Sequence, residues 1–172
     1  MTITSFRGPH AFLSNFYPSE VVGPGGFTYP TVEHAYQASK CNPDDDGAIR
    51  EIWLAQTPAQ AKRLGRKVNM RPHFDIHRLQ IMRGLLESKF ADPDLERALL
   101  ATGEEDLIEG NTWGDTFWGA CFNRKSGRWV GQNFLGILLM DLRTEFASEY
   151  DRPDDDSDLP WDGYSDWPHP LF

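Results

Sequence analysis

Residues 75–90 form the longest internal segment of this chain in which apolar side chains recur at helical spacing. A helix would place these side chains on one side, and they are Ile76, Leu79, Met82, Leu86 and Phe90. We therefore predict a long helix over 75–90.

Local start and stop signals predict shorter helices before and after this segment. The dipeptides at 57–58 and 92–93, Thr-Pro and Asp-Pro, combine a capping side chain with a proline in the first turn. Gly65 and Gly103 are typical stop signals. The helices predicted in this way lie near 46–55, 58–64 and 93–101.

Two other stretches favour short strands. Residues 12–30 alternate aromatic and β-branched residues around GPGG, which predicts a loop and then a hairpin with its turn at 23–26. Residues 106–122 are rich in Gly, Trp and Phe and predict short strands with an ordered loop, followed by a turn between Phe122 and Trp129. The last helix is predicted over 132–146, with an apolar stripe at Leu135, Leu138, Leu139 and Leu142.

Length and composition favour one globular domain. The chain has 172 residues, of which 40% are hydrophobic, and this suits a single core. No apolar run is long enough to cross a bilayer, and the first ten residues lack the apolar core of a signal peptide. Cys41 and Cys121 do not have metal-ligand spacing. We expect a cytosolic protein with reduced thiols and no membrane partner.

The net charge of −9 is concentrated at the C-terminal end. Residues 144–172 contain nine acidic residues and one basic residue, whereas residues 1–143 contain 17 acidic and 16 basic residues. Within 62–83, seven basic residues accompany one acidic residue. This basic stretch is either a solvated helix face or a rim that faces phosphate. The overall acidity argues against a tight duplex binder, but it permits brief contact with a phosphate-bearing ligand.

The segment TVEHAYQASK, residues 31–40, places four polar residue types within one short predicted helix. Thr31 is a candidate N-cap. Glu33, Gln37 and Lys40 fall on one stripe of that helix, with Glu33 and Lys40 roughly 10 Å apart along its axis. Either this pair stabilises the helix as a first-turn acid and a last-turn base, or the stripe carries chemistry.

Several motifs, taken in order, give the chain a resemblance to a known family. They are FLSNFYP (12–18), YPTVEHAYQASK (29–40), ESKF (87–90), NTWGDTFWG (111–119) and GQNFLGILLMDLR (131–143). Together they resemble the NADAR family, the YbiA-like N-glycosidases, from about Phe6 to Arg143. We therefore expect a NADAR domain over 1–150 and, outside the resemblance, a mobile or loosely docked acidic tail over 151–172.

The resemblance implies a compact, predominantly helical α+β domain with a small antiparallel sheet. It also implies a hydrolase that cleaves the N-glycosidic bond between ribose and an amino-bearing base, with no metal or cofactor. Two substrate classes are associated with the family: ADP-ribose attached to guanine in nucleic acid, and ribosylamino intermediates of riboflavin biosynthesis. We favour the first, with transient contact to ADP-ribosylated DNA or RNA, because the bases within 62–83 suit a diphosphate or a nucleic-acid backbone.

Three residues are candidates for catalysis. Cleavage of a C1′–N bond builds positive charge on the ribose carbon, as in O-glycoside hydrolysis, and a carboxylate can stabilise that charge or activate water. Glu33 matches the helix acid of the family, and Asp115 matches the acid of its Trp-Gly loop. Lys40 is either a covalent participant, which forms an imine with a ring-opened ribose, or a charge partner of Glu33.

The candidate substrate-binding residues are assigned by type. Phe16, Phe74 and Trp113 are candidate stacking surfaces for a base, although many relatives carry a Trp near Phe74. Asn15 and Asn133 either bind ribose hydroxyls or tie loops together. The other candidates are Gly114 for backbone shape, and Arg7 and Lys89 for phosphate or ribose contacts, with surface or capping roles as alternatives for both cations.

Three histidines lie within or next to the predicted helices, and these are His34, His73 and His77. His34 lies off the Glu33 stripe, and we expect it to be structural. His73 and His77 lack a third ligand for a metal.

Two other function classes compete with the hydrolase. A non-catalytic reader of ADP-ribose or nucleotides would share the pocket, but it would not need Glu33, Lys40 and Asp115 together. An interaction protein that works through its acidic tail would leave the polar helix face and the Trp-Gly loop unexplained.

Overall fold

The computed structural model describes residues 2–150 of the chain. Six α-helices are the dominant secondary structure of these residues, in agreement with the predicted α+β, predominantly helical fold. They are α1 (Val32–Ala38), α2 (Asp46–Trp53), α3 (Pro58–Gly65), α4 (Phe74–Phe90), α5 (Pro93–Leu100) and α6 (Phe134–Tyr150). The acidic tail predicted for 151–172 lies outside the described residues.

Three of the helices begin at the predicted capping residues. The side-chain oxygens of Thr31, Thr57 and Asp92 each accept a backbone N–H from the first turn of α1, α3 and α5. Gly103 takes a left-handed conformation (φ 58°) after α5, as expected of a stop signal. Gly65 is the last residue of α3, and the residue that caps this helix, Arg66, is right-handed.

Within residues 2–150, six short strands form three separate pairs. The strands are β1 (Thr2–Ile3), β2 (Val21–Val22), β3 (Thr28–Tyr29), β4 (Asp106–Leu107), β5 (Cys121–Asn123) and β6 (Arg128–Val130). The predicted turn at 23–26 joins the antiparallel pair β2–β3, and the predicted turn after Phe122 joins the antiparallel pair β5–β6. The parallel pair β1–β4 was not foreseen, because it joins residues about a hundred positions apart.

Helix α1 lies at the centre of the domain. All seven of its residues are buried, including Glu33, His34 and Gln37. It packs against α2, α3 and α4, and α5 packs against α6. His34 is structural, as predicted: its Nδ1 lies 2.7 Å from Thr31 Oγ1 and its Nε2 lies 3.2 Å from the Ala55 carbonyl oxygen. Because α1 is buried on all sides, the side chain of Glu33 lies inside the protein.

No helix within residues 2–150 has both the length and the apolar character needed to cross a bilayer.

Candidate active site

A cavity of about 740 Å³ opens between the N-terminal loop, α1, α3 and the loop that follows β4. Its lining contains three carboxyl groups, from Glu33, Glu109 and Asp115. It also contains three cations, and these are Arg7, Lys62 and Arg66. The volume is within the usual range for a small-molecule site. Acids and bases therefore face the same ligand-sized space.

A smaller cavity of about 280 Å³ adjoins the first one. Lys40, Tyr36 and Phe74 line only this inner cavity, whereas Glu33 and Asp115 line both. The structure thus brings the three predicted catalytic residues to one continuous site.

Glu33 is held in a defined position. Its side chain is buried, Gln37 Nε2 donates a 2.7 Å hydrogen bond to its Oε1, and its backbone N–H donates to the Asn15 carbonyl. Burial raises the pKa of the Glu33 carboxyl, and this effect is opposed by Lys62, the Gln37 hydrogen bond and Lys40. Burial therefore favours the neutral carboxyl, whereas the neighbouring cations and the amide of Gln37 favour the charged carboxylate.

Lys40 lies in the turn after α1 rather than on the helix itself. Its Nζ is 5.2 Å from the centroid of the Tyr36 ring. Burial lowers the pKa of Lys40, with further lowering by Lys62 and Arg66 and a partial opposing effect of Glu33. No ion pair within 4 Å links Lys40 to Glu33 in residues 2–150. A lowered pKa makes the neutral, nucleophilic amine more accessible.

Asp115 organises its own loop as well as lining the site. Its Oδ1 accepts the backbone N–H groups of Phe117 (3.1 Å) and Trp118 (2.9 Å). Asn111 bonds to the backbone N–H and carbonyl of Asp115 from the other side. The carboxylate is thereby fixed at the point where the two cavities meet.

Glu109 is a site residue that the sequence reasoning missed. It follows β4, and its backbone is fixed by a bond from its N–H to Asn133 Oδ1 (2.9 Å) and by the Ala120 N–H, which donates to its carbonyl (3.0 Å). Burial, together with nearby Asp115, raises the pKa of Glu109 to about 7, while Arg7 and Lys62 oppose the rise. The only sequence signal was its position two residues before the NTWGDTFWG motif, and an isolated acid is usually exposed.

Three buried side-chain polar atoms of the described chain have no hydrogen-bond partner within it. They are Asn15 Oδ1, Gln37 Oε1 and Glu109 Oε2. All three residues line one of the two cavities. Buried polar atoms are normally paired, so their concentration here supports a ligand-binding role for this region.

Most of the predicted binding residues lie at the site. Arg7, Asn15, Phe16 and Trp113 line the main cavity, with Phe16 41% and Trp113 58% exposed near its opening. Phe74 lines the inner cavity but is buried, with its ring centroid 5.6 Å from that of Tyr36. Gly114, with φ 85°, lines a neighbouring groove instead of either cavity.

Besides Gly114, two predicted binding residues line neither cavity, Asn133 and Lys89. Asn133 Oδ1 accepts the Glu109 N–H, and its Nδ2 donates to the Leu107 carbonyl, so this side chain ties loops together instead of facing ribose. Lys89 is only 1% exposed, and its Nζ donates to the Ser14 carbonyl at 2.9 Å. The alternative surface role is wrong, because Lys89 is buried and supports the site loop from beneath. Its contact with phosphate or ribose stays a prediction.

Comparison with known proteins places this geometry in a family. The model of the NADAR domain matches residues 4–147. A protein named N-glycosidase from Nostoc punctiforme is 38% identical over 154 residues, which cover 86% of this chain and 94% of that protein. The N-glycosidase YbiA of Escherichia coli is 37% identical over 142 residues, which cover 80% and 82% of the two chains.

A longer relative and a solved structure extend the comparison. The chloroplastic riboflavin biosynthesis protein PYRR of Zea mays is 36% identical over 148 residues, and the match spans only 23% of its length. The NMR structure of Escherichia coli YbiA superposes with a TM-score of 0.70 at 34% identity and covers 87% of each chain. The named relatives and the fold agree with the predicted enzyme class, an N-glycosidase and therefore a hydrolase. This chain belongs to the NADAR family.

Proposed function

We propose that this N-glycosidase removes ADP-ribose from guanine in nucleic acid by hydrolysing the C1′–N bond. The observation that supports this proposal best is that the main cavity is lined by both three carboxyl groups and three cations. The carboxyls suit a ribose carbon that becomes positive, and Arg7, Lys62 and Arg66 suit a diphosphate. Phe16 and Trp113, near the opening, offer stacking faces for a base.

The carboxyl groups can divide the chemistry between them. As the C1′–N bond breaks, its electron pair goes to the base nitrogen, and protonated Glu109 supplies the proton that nitrogen needs. Glu33 stabilises the positive ribose carbon and takes the proton of the water whose oxygen bonds to C1′. Asp115 adds negative charge between the cavities while it holds the loop. A group with a pKa near 7 suits the donor role at neutral pH.

Lys40 offers a second route to the same products. Its neutral amine would attack C1′ of the ring-opened ribose, the base would leave with its electron pair and a proton, and water would hydrolyse the resulting imine. The position of Lys40 on the inner cavity, with a lowered pKa, supports this alternative. Borohydride reduction during turnover distinguishes the two routes, because it traps an imine as a stable adduct on Lys40.

A ribosylamino intermediate of riboflavin biosynthesis is the second candidate substrate. The observation in its favour is the 36% identity to the maize riboflavin biosynthesis protein over most of this chain. A single phosphate on such a substrate would engage fewer of the cavity cations than a diphosphate would.

Direct assay of both substrates tests the proposal. We would incubate the protein with an oligonucleotide that carries ADP-ribosyl-guanine, and in parallel with the ribosylamino intermediate, and follow the products by mass spectrometry. Release of ADP-ribose and unmodified guanine is the expected result. Turnover of the riboflavin intermediate alone would replace the proposed substrate by the second candidate.

A further inference from the structure

A second groove, of about 540 Å³, adjoins the main cavity at Trp113. Its walls come from the hairpin β5–β6, the residues that follow β1, and the loop after β4. Arg7, Gly110 and Trp113 line both this hairpin groove and the main cavity. A ligand in the main cavity could therefore continue into the groove without leaving the protein surface.

Aromatic rings stand exposed along the hairpin groove. Phe122 is 49% exposed and Trp113 58% exposed. The ring of Phe122 meets that of Trp129 edge to face at 5.3 Å, which holds both rings in place. Exposed aromatic rings that are fixed from below are the usual platform for unpaired nucleobases.

The hairpin groove is positively charged, although the main cavity beside it contains three carboxyl groups. Both charged side chains among its described lining residues are arginines, Arg7 and Arg124. The hairpin over 121–130 adds Lys125 and Arg128 and contains no acid. Although the chain as a whole is acidic, the surface beside the site is locally positive. This positive surface is complementary to a phosphate backbone.

The hairpin turn is held in place by its own hydrogen bonds. Asn123 Oδ1 accepts the backbone N–H groups of Lys125 and Ser126, and the Gly127 N–H donates to the Asn123 carbonyl. Gly127 supplies the left-handed conformation that this turn requires (φ 64°). The cations are thus carried by a pre-organised turn, which lowers the entropic cost of binding.

We propose that the hairpin groove binds the single-stranded nucleic acid that flanks the modified nucleotide. One neighbouring base stacks on Phe122, and Arg124 contacts the adjacent phosphate. Arg7 and Trp113, which line both the groove and the main cavity, mark the point where the strand enters the site. The inference rests on the proposed function, since it names the polymer context of the same site. It adds a second phosphate-contacting surface to the bases within 62–83, of which Lys62 and Arg66 line the main cavity.

Binding of an unmodified strand tests the groove without requiring catalysis. We would titrate the protein against fluorescently labelled single strands of 12 nucleotides, as DNA and as RNA of the same sequence, and measure anisotropy at two salt concentrations. The test variants are Phe122→Ala with Arg124→Ala, and Arg124→Glu alone. The matched control is Ile76→Ala with Lys67→Ala, because both residues are exposed and lie outside the groove.

The wild type and the control should bind alike, whereas each groove variant should raise the Kd on the order of tenfold. The affinity of the groove variants should also depend less on salt, because fewer phosphate contacts are made. Thermal unfolding checks that the variant with Phe122→Ala retains the fold. If that variant unfolds, Arg124→Glu alone still tests the groove. Absence of wild-type binding to either strand, or equal weakening by the control, would overturn the inference.

A hydrolysis assay separates this inference from the proposed function. The groove variants should raise the KM for a modified oligonucleotide and leave kcat/KM for a modified mononucleotide unchanged. If the wild type hydrolyses neither substrate, the proposed substrate is wrong, and the binding experiment alone decides the role of the groove. A loss of activity on the mononucleotide in Arg124→Glu would show that the groove belongs to the catalytic cavity and would contradict the inference.

Discussion

Gln37 Nε2 donates a 2.7 Å hydrogen bond to Oε1 of Glu33, one helical turn earlier on the buried helix α1. The neighbouring helix permits this contact only because it has a glycine at the crossing: a Cβ on Gly65 would lie 2.1 Å from Gln37 Oε1. The position of the proposed catalytic carboxyl thus depends on two other residues, Gln37 on the same helix and Gly65 on α3. Several of the following predictions test this arrangement.

Replacing Glu33 by Gln should lower kcat by about 10²–10⁴-fold, because the amide cannot accept the proton of water or carry the charge that stabilises C1′. The measurement is steady-state hydrolysis of the proposed substrate. Glu51→Gln, on the exposed side of α2, is the matched control and should keep full activity. Retention of more than a tenth of wild-type kcat in Glu33→Gln would remove Glu33 from the chemistry.

Replacing Gln37 by Met should move the acidic limb of the kcat/KM profile to higher pH. The hydrogen bond from Gln37 lowers the pKa of Glu33, so its loss lets burial raise that pKa further, and ionised Glu33 is then reached only at higher pH. A pH–rate profile over about pH 4 to 9 measures the shift. The same substitution at exposed Gln80 on α4 should leave the profile unchanged, and an unshifted limb in Gln37→Met would argue against ionised Glu33 as the acting form.

Replacing Gly65 by Ala should destabilise the protein by about 1–3 kcal/mol, the usual cost of overpacking, because the new methyl group meets the Gln37 side chain. The control is Gly84→Ala within α4, where a Cβ has no atom within 4 Å and alanine is the better helix former. Urea denaturation should therefore show opposite signs for the two variants. Equal effects would mean that α3 can shift away from α1 at little cost.

Replacing Glu109 by Gln should remove the basic limb of the pH–rate profile and lower the maximal rate. Glu109, with a pKa near 7, loses its proton above neutral pH, and the amide cannot donate one. The protonation of Glu109 should also change the free energy of unfolding. The folded state binds this proton more tightly than the unfolded state, so the stabilisation by the protonated carboxyl is complete below about pH 4.5. This stabilisation is lost as the pH rises through 7.

The denaturation midpoints of the wild type and of Glu109→Gln should therefore depend differently on pH. From pH 5 to pH 8, the wild type should lose stability relative to Glu109→Gln. A pH-independent difference between the two proteins would contradict the raised pKa, whatever the effect on the rate.

Replacing Lys89 by Met tests the buried amine beneath the site loop. Burial lowers the pKa of Lys89 to about 7, so the folded state releases a proton that the unfolded state keeps until about pH 10.5. The wild type should gain stability relative to Lys89→Met as the pH rises from 7 towards 10. Thermal unfolding at pH 6, 8 and 9.5 measures this difference, and a constant difference would indicate that the amine reaches solvent.

Local residue patterns alone determined the helices and both hairpin turns. A cap such as Thr31, or the proline that follows Thr57, acts on backbone groups within one turn, so its effect can be read from neighbouring residues. The motifs also identified the family and brought Glu33, Lys40 and Asp115 into one hypothesis before any geometry was known. These three residues do line one continuous site.

Only the tertiary structure decided which other polar side chains reach that site. Glu109 became a site residue, and Asn133 a support for its backbone, through a contact between positions 24 residues apart. Lys89 became a support beneath the site loop through a bond to a carbonyl 75 residues away. Burial and charge depend on which distant segments meet, because desolvation and Coulomb interactions act through space and not along the chain.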